Sequence, residues 1–369
     1  MTPRLDGGGV EQVTLDTAGV VAAAGARSLI ATMGGALESE ARVLGAEIVR
    51  LPVHAKDPAR IVANGARLAS LARRARASLI HVRSRAPAFS ALIAGRLADV
   101  PVVATYHGVY GSGSAAKRWY NSVMTRGVAT FANSAFTCAH VLKEHRVDPQ
   151  RVLVIPEGVD VRRFDPGAVA PERPAALRAA WGAGPDQPVV LQAARLTGWK
   201  GQALAIRAFA AAHAPDALLV LAGRAEAAAD ARDLEAAARA AGVADRVRLV
   251  GPVDDMAGAL AAADVVLAPS TKPESFGRSV AEAAAMERLV IASDLGAVRE
   301  TLGDGAGWLV AAGETPAWTA AIEAALALGP VGRRAIGARA RSRIVDCFSL
   351  QAMTEATFAA YARLARRRV

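Results

Sequence analysis

The alternation of short apolar runs with longer stretches rich in alanine and arginine constrains the fold of this chain most strongly. Each run has the length of one strand, and each intervening stretch can form a crossover helix, which is the pattern of a parallel sheet. The runs occupy residues 28–33, 77–84, 101–108, 128–134 and 151–158, and then 188–195, 217–224, 247–253, 263–270 and 288–294. The sequence therefore predicts an α/β fold with two doubly wound, Rossmann-like domains in tandem.

A stretch rich in proline and glycine separates the two series of runs. It lies between Phe164 and Gln187 and interrupts the alternation, which is typical of a domain boundary. We therefore predict an N-terminal domain over residues 1–164, a linker over 165–187 and a C-terminal domain over 188–345. Residues 346–369 are predicted to form a C-terminal helix that crosses back to the N-terminal domain.

The composition of the chain argues against several classes of protein. With 369 residues, 53% of them apolar, the chain can bury two cores of ordinary size. Its longest apolar runs are far shorter than the roughly 20 residues of a membrane-spanning helix, and its first residues show no signal-peptide pattern. Cys138 and Cys347 lie far apart without metal-ligand spacing. A reduced, cytoplasmic protein is therefore expected.

The net charge of +10 is concentrated in residues 1–165. Such an excess can attract phosphorylated ligands, anionic lipid surfaces or nucleic acid. The sequence has no zinc-ligand spacing, no RNA-binding aromatic signature and no helix-turn-helix pattern. We therefore do not expect nucleic acid as a partner.

Charged residues and glycines follow the predicted strands of the second domain. Arg195 and Lys200 follow the run that ends at residue 195, and the stretch "PSTKPESFGRSVAEAAAM" at 269–286 carries Glu274 and Glu282. Ligands of doubly wound sheets bind beyond the carboxyl ends of the strands. The two cations are therefore candidates for a diphosphate clamp, although a pair of solvated loop cations is the simpler explanation for these two residues alone.

The start of the helix after residue 273 is a second candidate anion site. Ser275, Phe276 and Gly277 can present backbone N–H groups there, and glycine allows a close approach. Glu282, one or two turns into the helix, could accept both hydroxyls of a ribose, and Glu274 in the loop could bind hydroxyls of a sugar. A favourable interaction with the helix dipole would also explain Glu274 by itself.

Five motifs in the same order resemble those of the retaining glycosyltransferases of family 4. They are "GGGVE" at 7–11, "TYHG" at 105–108, "IPEGVDVRRF" at 155–164, "ARLTGWKGQ" at 194–202 and the two-glutamate stretch described above. The resemblance implies a GT-B fold, in which two Rossmann-like domains face each other across a cleft and the C-terminal domain holds a nucleotide sugar. It also implies no metal and no other cofactor, and the sequence has no Asp-x-Asp triplet to hold a divalent ion.

The resemblance assigns roles to individual residues. It places Arg195 and Lys200 on the donor diphosphate, Glu282 on the ribose and Glu274 on the transferred sugar. It also implies donor contacts for a set of small and backbone-presenting residues, namely Gly8, Gly9, Gly223, Ser275, Phe276 and Gly277. His107 would lie beside the reacting sugar as a fourth catalytic residue with Glu274, Arg195 and Lys200, or it would be a buried histidine bonded to backbone.

The implied reaction is transfer of a sugar from a nucleoside diphosphate to a saccharide or lipid-linked acceptor, with retention at the anomeric carbon. The resemblance to enzymes of cell-envelope glycan synthesis favours lipopolysaccharide as the product class. A GT-B-fold nucleotide-sugar epimerase and a catalytically silent nucleotide-sugar-binding protein are the alternatives.

A predicted helix at 115–127 could bring the protein to a membrane. It carries a set of cationic and aromatic residues, namely Lys117, Arg118, Trp119, Tyr120 and Arg126. Such a face could rest on an anionic surface, which would place the protein at the inner face of the cytoplasmic membrane. Alternatively, the two aromatic residues pack on the sheet and the cations are solvated.

The start of the chain leaves little room for a first strand. Only Met1 and Thr2 precede Pro3, whereas a strand needs roughly 5–6 residues, and in the family a strand precedes the glycine motif. We therefore expect the native chain to begin several residues upstream with an apolar, β-branched run.

Overall fold

The computed structural model describes residues 1–111 and 113–365. The chain divides into two compact units, one formed by Met1–Gly158 with the segment from Leu350 onward, the other by Val159–Ser349. This division differs from the predicted boundary at residue 164. The predicted linker 165–187 contains a helix, and Phe164 and Trp181 lie in the core of the second unit. The segment is therefore a packed part of that unit.

The first unit contains two parallel sheets. Its strands are β1 (Leu29–Thr32), β2 (Glu47–Arg50), β3 (Ile80–Val82), β4 (Val102–Tyr106), β5 (Ala129–Ala132) and β6 (Val152–Val154). Its first six helices are α1 (Gly9–Ala23), α2 (Glu38–Val43), α3 (Pro58–Arg74), α4 (Arg85–Ala98), α5 (Ala115–Asn121) and α6 (Ala135–Glu144). Strand β1 pairs with β2, and the other four form a sheet in the order β3-β4-β5-β6.

The second unit contains one six-stranded parallel sheet with helices around it. Its strands are β7 (Val189–Ala193), β8 (Leu218–Ala222), β9 (Val247–Gly251), β10 (Val265–Ala268), β11 (Leu289–Ser293) and β12 (Trp308–Val310). Its helices are α7 (Glu172–Trp181), α8 (Gln202–Ala211), α9 (Ala228–Ala240), α10 (Met256–Ala262), α11 (Arg278–Ala285), α12 (Val298–Leu302), α13 (Thr315–Ala327) and α14 (Gly329–Cys347).

The strand order of the second sheet determines where its ligand site lies. The order is β12-β11-β10-β7-β8-β9, so the chain leaves β7 in one direction and later returns to the other side of it at β10. This is the doubly wound order, in which the crevice beyond the carboxyl ends of the two central strands is the ligand site. The loops after β7 and β10 are the two that carry the predicted clamp and the two-glutamate stretch.

The apolar runs of the second unit are buried on both faces, which explains their nearly continuous hydrophobicity. Val189 and Leu191 of β7 belong to one hydrophobic cluster, and Val190 between them belongs to another. Alternate residues of a strand point to opposite faces of the sheet. A sheet covered by helices on both sides therefore favours apolar residues at nearly every position of its central strands.

Strands β2 and β12 were not predicted. The four residues of β2 are half-buried or exposed, and only the two central ones are apolar. Strand β12 is apolar throughout but has only three residues. Both strands lie at a sheet edge.

The C-terminal helix α15 (Leu350–Leu364) packs on the first unit. Met353, Ala360 and Leu364 belong to the same hydrophobic cluster as Val103 of β4 and Phe131 of β5. The last four residues of the predicted C-terminal helix lie outside the described residues. Within residues 1–111 and 113–365, no helix is both long enough and apolar enough to cross a membrane.

The first residues of the chain lie between β1 and β3. The amine of Met1 donates to the carbonyl of His81 at 2.7 Å, and the N–H of Thr2 donates to the carbonyl of Ala31 at 3.3 Å. No strand is assigned to the described residues ahead of α1. Beside Met1 is a cavity of about 490 Å³ lined by residues of β1, β3, α1, α3 and α15. Burial lowers the pKa of the Met1 amine from 8.0 to about 5.

Candidate functional site

The predicted site residues fall into two sets, one in each unit. The donor set of the second unit lies on the loops after β7 and β10. The N–H of Thr271 donates to the carbonyl of Trp199 at 2.8 Å, which joins the two loops directly. Gly201 has a φ of 77°, and a Cβ at this position would lie 1.9 Å from the carbonyl oxygen of Pro269. Only glycine therefore permits this close approach of the loops.

Lys200 and Glu274 form an ion pair between these loops. The Lys200 Nζ atom lies 2.5 Å from Glu274 Oε1, and the two side chains are only 15% and 16% exposed. The hydroxyl of Ser270 donates to the same carboxylate oxygen at 2.6 Å. From the sequence, both charged residues were predicted at this rim but were assigned to different parts of the donor. In this structure their side chains form an ion pair with each other.

The backbone of Lys200 is fixed from the sheet. The side chain of Gln192, in β7, donates from Nε2 to the Lys200 carbonyl at 2.7 Å. The Lys200 ammonium also lies 4.3 Å from the ring centroid of Trp199, a distance at which a cation is attracted to the face of the ring. The lysine is therefore held on the rim by its backbone and by two side chains.

Arg195 is more exposed than Lys200. Its guanidinium lies 2.5 Å from Glu226 Oε1, and both side chains are more than half exposed. The Arg195 backbone is anchored by Gln202, whose Nε2 donates to the Arg195 carbonyl at 2.9 Å. An exposed ion pair contributes little to stability, so the Arg195 side chain can exchange Glu226 for another anion at small cost.

Helix α11 begins at Arg278, so Ser275 and Phe276, which were expected at the start of the helix, lie in the turn before its N-cap. Gly277 is the N-cap residue with a φ of 84°, a conformation that favours glycine. Phe276 is buried, and its carbonyl accepts a hydrogen bond from Thr301 Oγ1 at 2.7 Å. This hydrogen bond fixes the turn that joins Glu274 to the first N–H groups of α11. Ser275 is half-buried in the same turn.

Glu282 lies one turn into α11, and its partner was not predicted. The Nε of Arg278 donates to Glu282 Oε1 at 3.0 Å across one helical turn. Both side chains are about one-fifth exposed. An Arg and a Glu four positions apart in a predicted helix indicate an ion pair, but only the glutamate was assigned a role from the sequence.

Gly223 has a packing role at the end of β8. A Cβ at this position would lie 1.8 Å from the carbonyl oxygen of Ala194. Glycine therefore allows the loops after β7 and β8 to approach each other. A similar role belongs to Gly296, where a Cβ would lie 2.1 Å from the carbonyl oxygen of Glu274. Gly296 was not singled out from the sequence.

The second set of predicted residues lies in the first unit. Gly8 and Gly9 were expected in a loop, but Gly9 is the first residue of α1 and Gly8 is its N-cap. Helix α1 begins inside the glycine motif, so only Gly7 and Gly8 of the motif precede the helix. Both Gly8 and Gly9 are exposed.

His107 follows β4 and is buried against a carboxylate. Its Nδ1 lies 3.0 Å from Glu157 Oε1, and its side chain is 3% exposed. The alternative expectation was a hydrogen bond between His107 and backbone. It does not hold for Nδ1, which contacts a carboxylate. Burial lowers the pKa of His107, and the bond to Glu157 offsets only part of that effect. Glu157 lies within the motif "IPEGVDVRRF", but no role was predicted for it from the sequence.

The segment at 115–127, which was predicted to form one helix, is only partly α-helical. Helix α5 is followed by a short 3-10 turn to Thr125. Trp119 is 60% exposed, and the Arg126 guanidinium lies 4.9 Å from its ring centroid. Tyr120 contacts Phe89 of α4, with ring centroids 5.5 Å apart. The alternative that Trp119 is packed on the sheet is therefore wrong, because its ring lies on the outside of the unit.

Two family models match this chain. Residues 7–163 match Glycosyltransferase Family 4, and residues 175–343 match Glycosyl transferases group 1. A D-inositol 3-phosphate glycosyltransferase of Geodermatophilus obscurus is 35% identical over 230 residues, which are 58% of this chain and 50% of that protein. This chain spans about half the length of the curated relatives it matches.

Solved structures resemble the chain over almost its whole length. A glycosyltransferase from Rickettsia africae ESF-5 matches with a TM-score of 0.92 and 25% identity, over 99% of this chain and 98% of that one. Anabaena HepE, solved in complex with UDP and glucose, matches with a TM-score of 0.87 and 21% identity, over 98% of this chain and 99% of that one. The fold is therefore of the GT-B class. Because the two family matches together cover residues 7–163 and 175–343, the chain belongs to the family 4 glycosyltransferases.

Proposed function

We propose that the protein transfers a sugar from a nucleoside diphosphate sugar to a saccharide acceptor. The observation that carries this proposal is the Lys200–Glu274 ion pair at the centre of the doubly wound sheet, beside the N-terminus of α11. A cation, a carboxylate and oriented N–H groups at one rim are the groups that a nucleoside diphosphate sugar requires. Membership of the family and the UDP bound to the HepE neighbour support the same donor class.

The proposed chemistry follows from these groups. Departure of the diphosphate develops negative charge on its oxygens, which Lys200, Arg195 and the first N–H groups of α11 would stabilise. Glu274 would then turn from Lys200 to the hydroxyls of the transferred sugar, and Glu282 would accept from the ribose. We propose retention of configuration by a front-face reaction, in which the leaving phosphate assists deprotonation of the acceptor hydroxyl. The resemblance described above supports retention.

We further propose that the acceptor is a lipid-linked saccharide of the cell envelope, of the lipopolysaccharide kind. The exposed Trp119 and the cation above it support contact with an anionic membrane. This would place the protein at the cytoplasmic face of that membrane. A phosphorylated polyol is the second candidate acceptor, because the curated relatives are named for inositol 3-phosphate.

Product analysis tests the proposal against its alternatives. The protein is incubated with a panel of nucleoside diphosphate sugars, with and without saccharide, glycolipid and inositol phosphate acceptors, and products are identified by mass spectrometry. Transfer gives a glycosylated acceptor, an epimerase gives an isomer of the donor, and a silent binding protein gives neither. The anomeric proton coupling in the NMR spectrum of the product reports retention or inversion.

Two variants sharpen this experiment. Lys200→Met should abolish transfer, whereas Arg207→Met, which removes an exposed cation from α8 of the same unit, should not change it. Equal activity of the two variants would refute the assignment of the site. An isomerised donor as the main product would refute the transfer reaction itself.

A further inference from the structure

The turn that carries Glu274 is held by the segment that follows the neighbouring strand. Strands β10 and β11 are parallel and adjacent, so the loops after them leave the same edge of the sheet. The N–H of Ala297 donates to the carbonyl of Glu274 at 2.8 Å, and Gly296 and Glu274 form an isolated parallel bridge. The pairing of the two strands therefore resumes beyond their ends, at the position of Glu274.

Gly296 makes this contact a direct one between two backbones. Its φ is 69°, and a Cβ at this position would lie 2.1 Å from the carbonyl oxygen of Glu274 and 2.7 Å from its backbone nitrogen. A contact between backbones does not depend on side-chain rotamers. The distance between the two loops therefore has little freedom at Glu274.

Thr301, in α12, adds a contact at the other end of the turn. Its Oγ1 lies 2.7 Å from the carbonyl oxygen of Phe276, and the residue is 1% exposed. Helix α12 is itself anchored, because the Nε of Arg343 in α14 donates to the Thr301 carbonyl at 3.1 Å. Val298 of α12 and Phe276 also belong to the same hydrophobic cluster. Residues 296–301 therefore form a firm support for the turn.

The side chain of Glu274 has one partner that a donor would remove and one that it would not. Lys200 is the cation that a diphosphate attracts, whereas Ser270 is neutral and 3% exposed, and its hydroxyl donates to Glu274 Oε1 at 2.6 Å. Loss of the Lys200 pair therefore leaves the carboxylate with a hydrogen bond from its own loop. It also leaves the backbone of Glu274 bonded to residues 296–301.

We propose that Ser270 and residues 296–301 keep Glu274 at the rim when a diphosphate takes Lys200 from it, so that its carboxylate accepts hydroxyls of the transferred sugar. This inference rests on the proposed function and adds positioning residues to it. A carboxylate that is already in place loses little conformational entropy when it binds the sugar. The support for Glu274 is thus separate from the cation that binds the donor.

Thr301→Val tests the support without a substrate, because it keeps the shape of the side chain and removes the hydroxyl. Thr319→Val is the matched control. Thr319 Oγ1 lies 3.2 Å from the carbonyl oxygen of Ala208 in another helix and 3.0 Å from that of Thr315, four positions earlier. Thr301 Oγ1 likewise lies near one distant carbonyl and 3.2 Å from that of Ala297, four positions earlier.

Hydrogen exchange measured by mass spectrometry on the full chain is the readout. In Thr301→Val the amides of residues 274–278 should exchange about fivefold faster, the loss of about one hydrogen bond, whereas Thr319→Val should leave them unchanged. Thr301→Ser keeps the hydroxyl and should restore the wild-type rates. Unchanged exchange of residues 274–278 in Thr301→Val would overturn the inference.

Kinetics connect the support with the transferred sugar. Thr301→Val should lower kcat for transfer about tenfold, because Glu274 is less precisely placed, and should leave unchanged the Kd of the nucleoside diphosphate released in the reaction. Thr301→Ser should recover the rate. An unchanged kcat, a loss of nucleotide affinity as large as the loss in kcat, or an equal loss in kcat in Thr319→Val would each contradict a role confined to Glu274.

Ser270→Ala provides a second test if Thr301→Val does not fold. It removes the hydroxyl bonded to Glu274 and should lower kcat with little change in the Kd of the same nucleoside diphosphate. An unchanged kcat in this variant would contradict the proposed hold on the carboxylate. Absence of transfer by the wild-type protein would refute the proposed function, and the exchange rates would still decide whether residues 296–301 support the turn.

Discussion

The Lys200–Glu274 pair makes a specific prediction for nucleotide binding. A diphosphate must attract the Lys200 ammonium away from Glu274, because the two groups are 2.5 Å apart in the structure. Lys200→Met removes the cation, and Glu274→Gln removes its competing anion while keeping the shape of the side chain. Lys200→Met should therefore lower the affinity for a nucleoside diphosphate, whereas Glu274→Gln should not.

The size of the effect follows from the burial of the pair. Both side chains are about one-sixth exposed, so solvent screening is limited, and a hydrogen bond to a charged group contributes roughly 1.5–3 kcal/mol. Lys200→Met should therefore weaken binding of the diphosphate by a factor of about 10 to 150. Glu274→Gln should leave binding unchanged or tighten it, because Lys200 then has no carboxylate partner, and should depress transfer of the sugar.

Isothermal titration calorimetry with the bare nucleoside diphosphate is the assay. The double variant completes a thermodynamic cycle, and a coupling energy near zero would mean that the two residues act independently. Arg207→Met serves as the charge control, and thermal unfolding checks that each variant is folded. Unchanged affinity in Lys200→Met, or a loss of affinity in Glu274→Gln as large as in Lys200→Met, would refute the reasoning.

Three further predictions concern the ribose, the buried amine and the membrane. Glu282→Ala should weaken binding of the nucleoside diphosphate about tenfold or more and should weaken binding of its 2′-deoxy analogue less, as calorimetry with both ligands would show. Because burial lowers the pKa of the Met1 amine from 8.0 to about 5, the unfolded chain binds more protons at this amine between these pH values, and the contribution of the amine to the free energy of unfolding should fall by about 3 kcal/mol from pH 8 to pH 5. Urea unfolding of protein that retains Met1 tests this, and an Nα-acetylated sample should lose this contribution. Arg126→Ala should weaken binding to anionic vesicles in a sedimentation assay about fivefold, roughly 1 kcal/mol. Val43→Ala, at an apolar position 87% exposed, should not weaken it. Equal binding by both variants would argue against membrane contact through Trp119 and Arg126.

The sequence by itself determined the alternation of strands and helices and the rim on which the donor residues lie. Buried parallel strands require apolar residues at successive positions, so each central strand is visible as a run. The carboxyl ends of parallel strands share one edge of the sheet, so residues that follow the runs, such as Lys200 and Glu274, are predictably near one another. Strand β2 was missed because only its two central residues are apolar, and β12 was missed because its apolar run has only three residues.

Only the tertiary structure decided which of these side chains are partners. Lys200 and Glu274 are 74 positions apart, and His107 and Glu157 are 50 positions apart. A hydrogen bond requires its two heavy atoms to lie within about 3 Å of each other, and that distance depends on strand order, loop approach and rotamer, none of which local sequence specifies. The close approach at Gly201 and the adjacency of β4, β5 and β6 set those distances. Sequence could therefore identify the chemical groups, and the packing of the sheets selected their contacts.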